Sequence, residues 1–213
     1  MQCIFRHLAS FAVVLFLGFS YAYAQTAFIT PDLRWAGLKG HVKSVIETYD
    51  YGEYQTYIEY RFSKDGKLTY YYDDFWNSKV KIVRNKSGRI SEIYADGEME
   101  ELAEEHSIKY KYNKFGYVLS TEEEGFQSGR EEKFVLNESG WPVQSKSEEY
   151  VWAGRWEYDY NRTNTFQYNK KDSQGNWVQC TLKSTLTYTN CPDYDPADRN
   201  YQVIITRKIT YWQ

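Results

Sequence analysis

Adjacent acidic residues are the first feature of this sequence with the chemistry for a reaction. They lie at Asp73-Asp74, Glu122 to Glu124, Glu131-Glu132 and Glu148-Glu149. A glycoside hydrolase needs two carboxylates held about 5 to 9.5 Å apart in a cleft. Acidic residues at strand ends more commonly keep a sheet soluble and discourage edge pairing. Because these groups are so numerous, we expect the second role.

The histidines and cysteines that follow residue 24 form no recognisable catalytic motif. His41 and His106 lie far apart, and no nucleophile elbow, P-loop, HExxH or CxxC sequence accompanies them. We therefore expect both histidines on the surface, and we predict no catalytic residue and no cofactor. Cys180 and Cys191 can form a disulfide only if the chain reverses between them. We favour two unpaired thiols, because no turn-forming sequence stands out there.

An oxygen-rich segment near the C-terminus has side chains that calcium prefers. Its spacing differs from the EF-hand pattern and it lacks the central glycine. Asp, Asn and Pro residues of this kind also shape ordinary loops. We predict a plain connection and no metal site at Asp193, Asp195, Asp198 and Asn200.

Aromatic residues make up 19% of the chain, more than a small core requires. Tyr71, Tyr117 and Trp141 fall on the face opposite the predicted core, whereas Trp76 and Trp152 lie near turns. Exposed aromatic side chains suit the apolar faces of sugars or a protein partner. Cross-strand aromatic ladders are the structural alternative. We take these five residues as candidate ligand contacts.

The first 24 residues have the composition of a secretory signal peptide. Arg6 and His7 precede an apolar run from Leu8 to Phe19, and Ala22-Tyr23-Ala24 provides an A-x-A cleavage site. After cleavage we expect no membrane span, and a secreted protein of the periplasm or the cell exterior. With a formal net charge of −3 and no basic run, the chain is a poor candidate for nucleic-acid binding.

A recurrent turn sequence organises the rest of the chain. It consists of an apolar or aromatic residue, then Asn, Asp or Ser, two variable residues, Gly, one variable residue and an apolar residue. Its glycine is expected to take positive φ and to close a hairpin as a G1 bulge. The predicted turn positions are Gly66, Gly88, Gly116 and Gly140, with Asn164 replacing glycine in a fifth copy. Gly175 is assigned to a second series of turns that returns the chain.

Strands must connect these turns, because a spacing of about two dozen residues accommodates two strands per repeat. Ile58, Tyr60 and Phe62 alternate with charged residues, as expected for a half-buried antiparallel strand. The hairpins predict cross-strand neighbours: Phe62 with Leu68, Tyr112 with Val118, and Tyr160 with Phe166.

These observations predict an all-β fold. We expect a single antiparallel meander of about 13 strands with repeated β-hairpins, curled into a half-barrel, flattened barrel or rolled sheet. The predicted organisation is a signal peptide over 1–24, an N-terminal extension over 25–36 and a β-meander domain over 37–213.

The turn units resemble the YD repeats of the Rhs family, whose pattern is Tyr-Asp-x-x-Gly-Arg-apolar. The best match is Asn85-Lys86-Ser87-Gly88-Arg89-Ile90. Asp172 to Trp177, with Arg207 to Tyr211, is similar to the last unit of small secreted proteins of this kind, and Leu38 to Val45 resembles their opening strand. The resemblance covers nearly all of the chain after the predicted signal peptide. It implies β-hairpin repeats and carries no particular reaction.

We therefore expect a secreted non-enzymatic β-repeat protein that acts as a binding or scaffold module, with its strand faces and turns as the contact surface. The alternative is a carbohydrate-binding or carbohydrate-active protein that uses exposed aromatic residues and acidic pairs. The partner would be a protein or a glycan that the sequence does not identify.

Overall fold

The computed structural model describes residues 28–74, 80–95, 106–125, 127–153, 156–190 and 199–213. The predicted signal peptide, Trp76, Cys191 and the three aspartates of the oxygen-rich segment lie outside these ranges. Within them the chain forms one short helix and twelve strands: α1 Pro31–Trp35, β1 Val42–Asp50, β2 Gln55–Phe62, β3 Leu68–Asp73, β4 Val80–Arg84, β5 Ile90–Ala95, β6 His106–Tyr112, β7 Val118–Gly125, β8 Ser128–Leu136, β9 Pro142–Ala153, β10 Trp156–Lys171, β11 Trp177–Asn190 and β12 Arg199–Tyr211.

The described strands form one antiparallel sheet in the order β3-β2-β1-β12-β11-β10-β9-β8-β7-β6-β5-β4. Because β1 pairs with both β2 and β12, the first and last strands join and the sheet rolls into a nearly closed barrel. Its unsealed seam lies between β3 and β4, the two edge strands. The prediction of an all-β rolled meander is confirmed, with twelve strands in the described part of the chain where we expected about thirteen overall.

Five turns of the recurrent sequence lie on one rim of the barrel. In the best match to the repeat, Asn85 N–H donates to the Arg89 carbonyl, and the Asn85 side chain accepts from the N–H groups of Ser87 and Arg89. Such a side chain supplies the hydrogen bonds that an isolated turn lacks. We call this end the turn rim; its turns begin at Ser63, Asn85, Asn113, Asn137 and Asp172.

The fourth residue of each turn is a glycine with φ between 73° and 84°, a range that strains residues with a Cβ atom. The ladder shifts register beside each of these turns, as a bulge requires. The predicted pairs Phe62–Leu68 and Tyr112–Val118 are confirmed. The glycines are Gly66, Gly88, Gly116, Gly140 and Gly175.

Two turn assignments from the sequence are wrong. Asn164 lies inside β10, where it pairs with Ser145 of β9 and Ser184 of β11. Because β10 continues through this position, Tyr160 and Phe166 lie on the same strand and do not face each other. Gly175 consequently joins the turn rim and not the opposite series. Asn164 is tolerated in a strand because its amide hydrogen bonds to interior side chains.

The helix α1 covers the turn rim. Thr30 caps it by accepting a hydrogen bond from Leu33 N–H at 3.2 Å, and its own hydroxyl donates to the Gly66 carbonyl at 2.6 Å. Leu33 is fully buried, and Trp35 packs its ring against those of Tyr60 and Tyr110. Part of the predicted N-terminal extension therefore forms one end of the barrel core.

The apolar core lies inside the barrel in two clusters. One surrounds α1 and the seam, and the other lies on the inner faces of β11 and β12. The first includes Leu33, Val45, Phe62, Leu68, Ile90 and Ile93. The second includes Trp141, Trp177, Cys180, Val203 and Ile205.

Asp32 and Arg84 bridge the seam at the turn rim. The Arg84 guanidinium donates two hydrogen bonds of 2.7 Å to the two Asp32 carboxylate oxygens. Asp32 also accepts the Leu68 N–H at 2.7 Å, and Arg84 Nη2 donates to the Leu68 carbonyl at 3.3 Å. Leu68 begins β3 and Arg84 ends β4, so this pair connects two edge strands that lack a backbone ladder.

Alanine at two turn glycines separates backbone strain from packing. Gly140→Ala places a Cβ atom 2.2 Å from the Tyr117 ring, whereas nothing lies within 4 Å of a Cβ atom at Gly88. Both residues have positive φ. We expect Gly88→Ala to lower the free energy of unfolding by about 1 kcal/mol, and Gly140→Ala to lower it by about 3 kcal/mol. Urea denaturation measures both, and equal losses would show that Tyr117 moves aside without penalty.

Candidate functional site

The barrel interior contains a cavity of about 400 Å³. Its wall includes Trp35 of α1, Trp141 at the turn rim, and Trp177 of β11, together with inward-facing residues of β1, β2, β6 to β10 and β12. Sites for small organic molecules typically have volumes of about 300 to 1,000 Å³ and mainly apolar walls. The cavity therefore has the size of a small-molecule site, and its wall combines aromatic rings with arginine and glutamate side chains.

Aromatic rings form much of this wall. The rings of Trp35 and Tyr110 meet edge to face at a centroid distance of 5.6 Å. Tyr168 lies between Trp141 and Trp177, with centroids 5.0 Å and 5.5 Å away. Burial raises the pKa of the Tyr110 and Tyr168 hydroxyls, so they remain neutral at physiological pH. The rings offer flat, uncharged surfaces to a ligand.

A buried ion pair interrupts the apolar wall. Arg207 Nε of β12 lies 2.5 Å from Glu47 Oε2 of β1, and the two side chains are 8% and 6% exposed. The Arg207 guanidinium stacks 3.6 Å from the centroid of the Trp177 ring. The Tyr49 hydroxyl donates to the other Glu47 oxygen. The buried Arg207 Nη1 has no hydrogen-bond partner in the part of the chain that the structure describes.

A second polar group on the wall involves β8, β9 and β10. Asn164 Nδ2 donates to Glu132 Oε1 at 3.2 Å and to Ser145 Oγ at 3.0 Å. This contact with a carboxylate fixes the orientation of the amide, because an ionised carboxylate only accepts. Asn164 is 7% exposed, and its Oδ1 atom is unpartnered among the described residues.

Another ion pair, between half-buried Arg162 and buried Glu149, joins β9 and β10. Arg162 Nη2 donates to Glu149 Oε2 at 2.9 Å, and Ser147 Oγ donates to Glu149 Oε1 at 2.6 Å. Arg162 Nη1 donates to the Tyr201 hydroxyl oxygen of β12. Glu149 therefore has both an opposite charge and hydrogen bonds to compensate its burial.

Glu123 links β6, β7 and β8. It lies 2.8 Å from His106 Nε2 and 2.5 Å from Arg130 Nη2. Burial alone would raise the pKa of Glu123, but the His106 hydrogen bond and the Arg130 charge outweigh that effect and lower the pKa. His106 is thus a half-buried partner of a carboxylate, and the expectation of a surface histidine is wrong for it.

The lowered pKa of Glu123 predicts a pH dependence of stability. A depressed carboxylate pKa contributes stability above the pKa of the unfolded residue, about 4.3, and that stability is lost as the pH falls through the folded value. We expect Glu123→Gln to be less stable than the wild type at pH 7, with a difference that shrinks towards pH 3. Urea denaturation at several pH values tests this, with the exposed Glu53→Gln as control. A difference that stays constant with pH would contradict it.

Two of the candidate aromatic contacts lie inside the barrel and not on its outer face. Tyr71 is 8% exposed and Trp141 is 5% exposed, and both line the cavity. The register shifts beside Phe62, so that Thr69 is the extra residue and Tyr71 faces inward opposite Tyr60. Strict alternation from Leu68 therefore assigns Tyr71 to the outer face, which is wrong.

Trp141 follows a turn glycine and points across the turn rim towards α1. Its Nε1 donates to the Gly37 carbonyl at 3.1 Å. Tyr117 occupies the same place in its own turn, where it is half-buried and its ring lies 5.3 Å from the Arg34 guanidinium. Trp152 is 43% exposed, as expected, and Trp76 lies outside the described residues.

Within each acidic pair of β8 and β9 the two carboxylates lie on opposite faces of the sheet, whereas Glu122, Glu131 and Glu148 of different pairs are cross-strand neighbours on the outer face of β7, β8 and β9. Glu132 and Glu149 are buried, whereas their neighbours Glu131 and Glu148 are exposed on the outer face. The strand geometry turns adjacent side chains to opposite faces. Within the described ranges, no group of three or more His, Cys, Asp or Glu side chains is arranged to hold a metal ion.

Cys180 is a free, buried cysteine on the cavity wall. Burial raises the pKa of its thiol to about 11, so the thiol stays protonated and weakly reactive. We assign it a packing role.

Sequence reasoning missed Glu47, Arg162 and Arg207. A signal exists in the strand periodicity, because Arg207 follows Val203 and Ile205 at the same parity of β12 and so falls on the buried face. A charged residue in such a position requires a partner. The sequence does not say which strand supplies it.

Among the described residues, no helix has the length and apolar character needed to cross a membrane. No model of a known protein family matches the chain, and no curated protein matches its sequence.

Proposed function

We propose that the chain is a non-enzymatic binding module, of the secreted YD-repeat-like kind, that holds a small and mainly apolar ligand inside its barrel. The observation that carries this proposal is the interior cavity of about 400 Å³ with aromatic walls. The proposal therefore places the ligand contacts in the barrel interior, whereas the sequence led us to expect them on the strand faces and turns.

The polarity of the wall favours an apolar ligand body over a sugar. A sugar ring presents several hydroxyl groups, and each one needs a partner when it is buried. The interior carboxylates described above already bond to arginine, serine, asparagine or histidine side chains, so few polar atoms of the wall, such as Arg207 Nη1 and Asn164 Oδ1, lack a partner among the described residues. A ligand with a flat apolar body and few polar atoms loses less hydration on entering such a site.

Fluorescence titration with N-phenyl-1-naphthylamine tests the proposal. We expect saturable binding to the wild type, with enhanced emission. Leu182→Trp fills part of the cavity and should raise the Kd about tenfold or more. Lys183→Trp adds the same ring at the exposed neighbouring position and should leave the Kd unchanged. Non-saturable binding, or equal Kd values for the two variants, would contradict an interior site.

Carbohydrate binding on the outer surface is the second candidate. Tyr150 and Trp152 are 41% and 43% exposed and share the outer face of β9 with Glu148. Exposed aromatic platforms of this kind suit the apolar faces of sugars. A glycan array probed with the wild type and with Trp152→Ala tests this candidate. If neither protein binds a glycan, the cavity remains the proposed binding site.

We also propose export through the general secretory route, on the basis of the charged and apolar segments in residues 1–24. Mass spectrometry of the protein expressed in a bacterial host should find a mature N-terminus at Gln25 in the periplasmic or extracellular fraction. An uncleaved chain in the cytoplasm would contradict this.

A further inference from the structure

The most informative atom on the cavity wall is the Nη1 nitrogen of Arg207. It belongs to a side chain that is 92% buried, since 8% of its surface is exposed. No described residue accepts a hydrogen bond from it. A buried N–H of a charged group that lacks an acceptor is expensive to leave in a folded protein. Because Arg207 also lines the cavity, a ligand oxygen there can become the acceptor after a small adjustment of the guanidinium.

The surroundings of Arg207 determine the charge of that acceptor. Glu47 already neutralises the guanidinium, at 2.5 Å and with both side chains buried. An anionic ligand group beside Arg207 would also lie close to the Glu47 carboxylate, and like charges in a desolvated site repel strongly. Arg162 and Arg130 are likewise paired, with Glu149 and Glu123. The surroundings of Arg207 thus favour an uncharged acceptor, such as a carbonyl oxygen.

The rings around Arg207 determine the body of the ligand. Trp177 stacks on the guanidinium, and Tyr168 and Trp141 continue the aromatic surface along the same wall. Flat apolar compounds gain the most contact with such a surface. Asn164 Oδ1, buried elsewhere on the wall, offers one hydrogen-bond acceptor to a ligand N–H or O–H.

We infer that the ligand is an uncharged aromatic compound with a carbonyl-type oxygen, and that this oxygen accepts a hydrogen bond from Arg207 Nη1. The inference rests on the binding function proposed above. It assigns Arg207 as the residue that selects the ligand, and Glu47 as the residue that excludes anions.

Three naphthalenes of nearly equal shape test the inference by displacing N-phenyl-1-naphthylamine. They are 2-acetonaphthone, with a carbonyl oxygen; 2-isopropenylnaphthalene, with a methylene group in its place; and 2-naphthoate, with a carboxylate. We expect the ketone to bind about tenfold tighter than the alkene, the ratio that one hydrogen bond from a charged donor supplies. The carboxylate should bind at least as weakly as the alkene.

Glu47→Gln provides a second measurement. It keeps a side-chain oxygen for Tyr49 but leaves the Arg207 charge uncompensated, so the preference should change from the ketone to 2-naphthoate. Glu131→Gln makes the same change of charge on the outer face of β8. It should preserve the order of affinities that the three naphthalenes have for the wild type. The wild-type series requires no variant, so it remains decisive if Glu47→Gln folds poorly.

The outcomes separate the inference from the function on which it rests. If the naphthylamine binds but the ketone and the alkene displace it with equal affinity, Arg207 does not select the ligand and the inference is overturned. The cavity would still be a binding site. If 2-naphthoate binds tightest to the wild type, the uncharged class is wrong. If the naphthylamine shows no saturable binding, the interior binding function itself fails.

Discussion

Replacing Arg84 by Met will lower the free energy of unfolding by about 3 to 5 kcal/mol, because the variant leaves the Asp32 carboxylate buried without its counter-charge. Asp32 is 3% exposed. Its two oxygens accept both guanidinium hydrogen bonds at 2.7 Å, and one of them also accepts the Leu68 N–H. The loss falls on the seam, where β3 and β4 have no backbone ladder to hold them together.

Urea denaturation measures this effect, and Arg61→Met provides the matched control. Arg61 pairs with Glu59 at the same distance of 2.7 Å, but its side chain is 56% exposed. Exposed pairs of this kind contribute little to stability, so Arg61→Met should lose much less stability than Arg84→Met. If Arg84→Met and Arg61→Met lose the same stability, the seam does not depend on the buried pair.

Asn176→Ala is expected to lower the free energy of unfolding by about 3 kcal/mol, because it removes three hydrogen bonds from a fully buried amide. Asn176 Oδ1 accepts the Lys39 N–H at 2.9 Å, and Nδ2 donates to the Lys39 carbonyl at 2.9 Å and to the Tyr211 hydroxyl at 2.8 Å. The side chain therefore ties the last turn to the segment before β1 and to the end of β12.

Gln174→Ala is the control for this prediction, because Gln174 lies in the same turn but is exposed. It should change stability by less than about 0.5 kcal/mol. Limited proteolysis provides an independent measurement, since Asn176→Ala should expose the bond after Lys39 to trypsin sooner than in the wild type. An unchanged cleavage rate with unchanged stability would show that the turn does not anchor this segment.

The turns could be predicted from the sequence because their chemistry is short-range. In one turn, the Asn85 side chain accepts hydrogen bonds from the N–H groups of Ser87 and Arg89, all within five residues. Gly88 supplies the backbone conformation that this turn requires. The same local logic fails at Asn164. Its partners Glu132 and Ser145 lie on other strands, and only the rolled sheet brings them near.

The cavity could not be predicted for a similar reason. Glu47 and Arg207 are 160 positions apart and meet only because β1 pairs with β12. Tyr71 shows a second limit, since one bulge residue at Thr69 reverses the face of every residue that follows in β3. Periodicity therefore indicates which residues form strands more reliably than which side of the sheet they occupy.

The location of the seam determines where this chain can be circularly permuted without the loss of a strand pairing. Its terminal strands are hydrogen-bonded partners, with Trp212 N–H donating to the His41 carbonyl at 2.8 Å, whereas the consecutive strands β3 and β4 share no ladder. A circular permutant that starts at Val80 and reaches Asp73 last would break no strand pairing, provided a short linker joins residue 213 to residue 28. Its sheet would then follow chain order from one edge to the other.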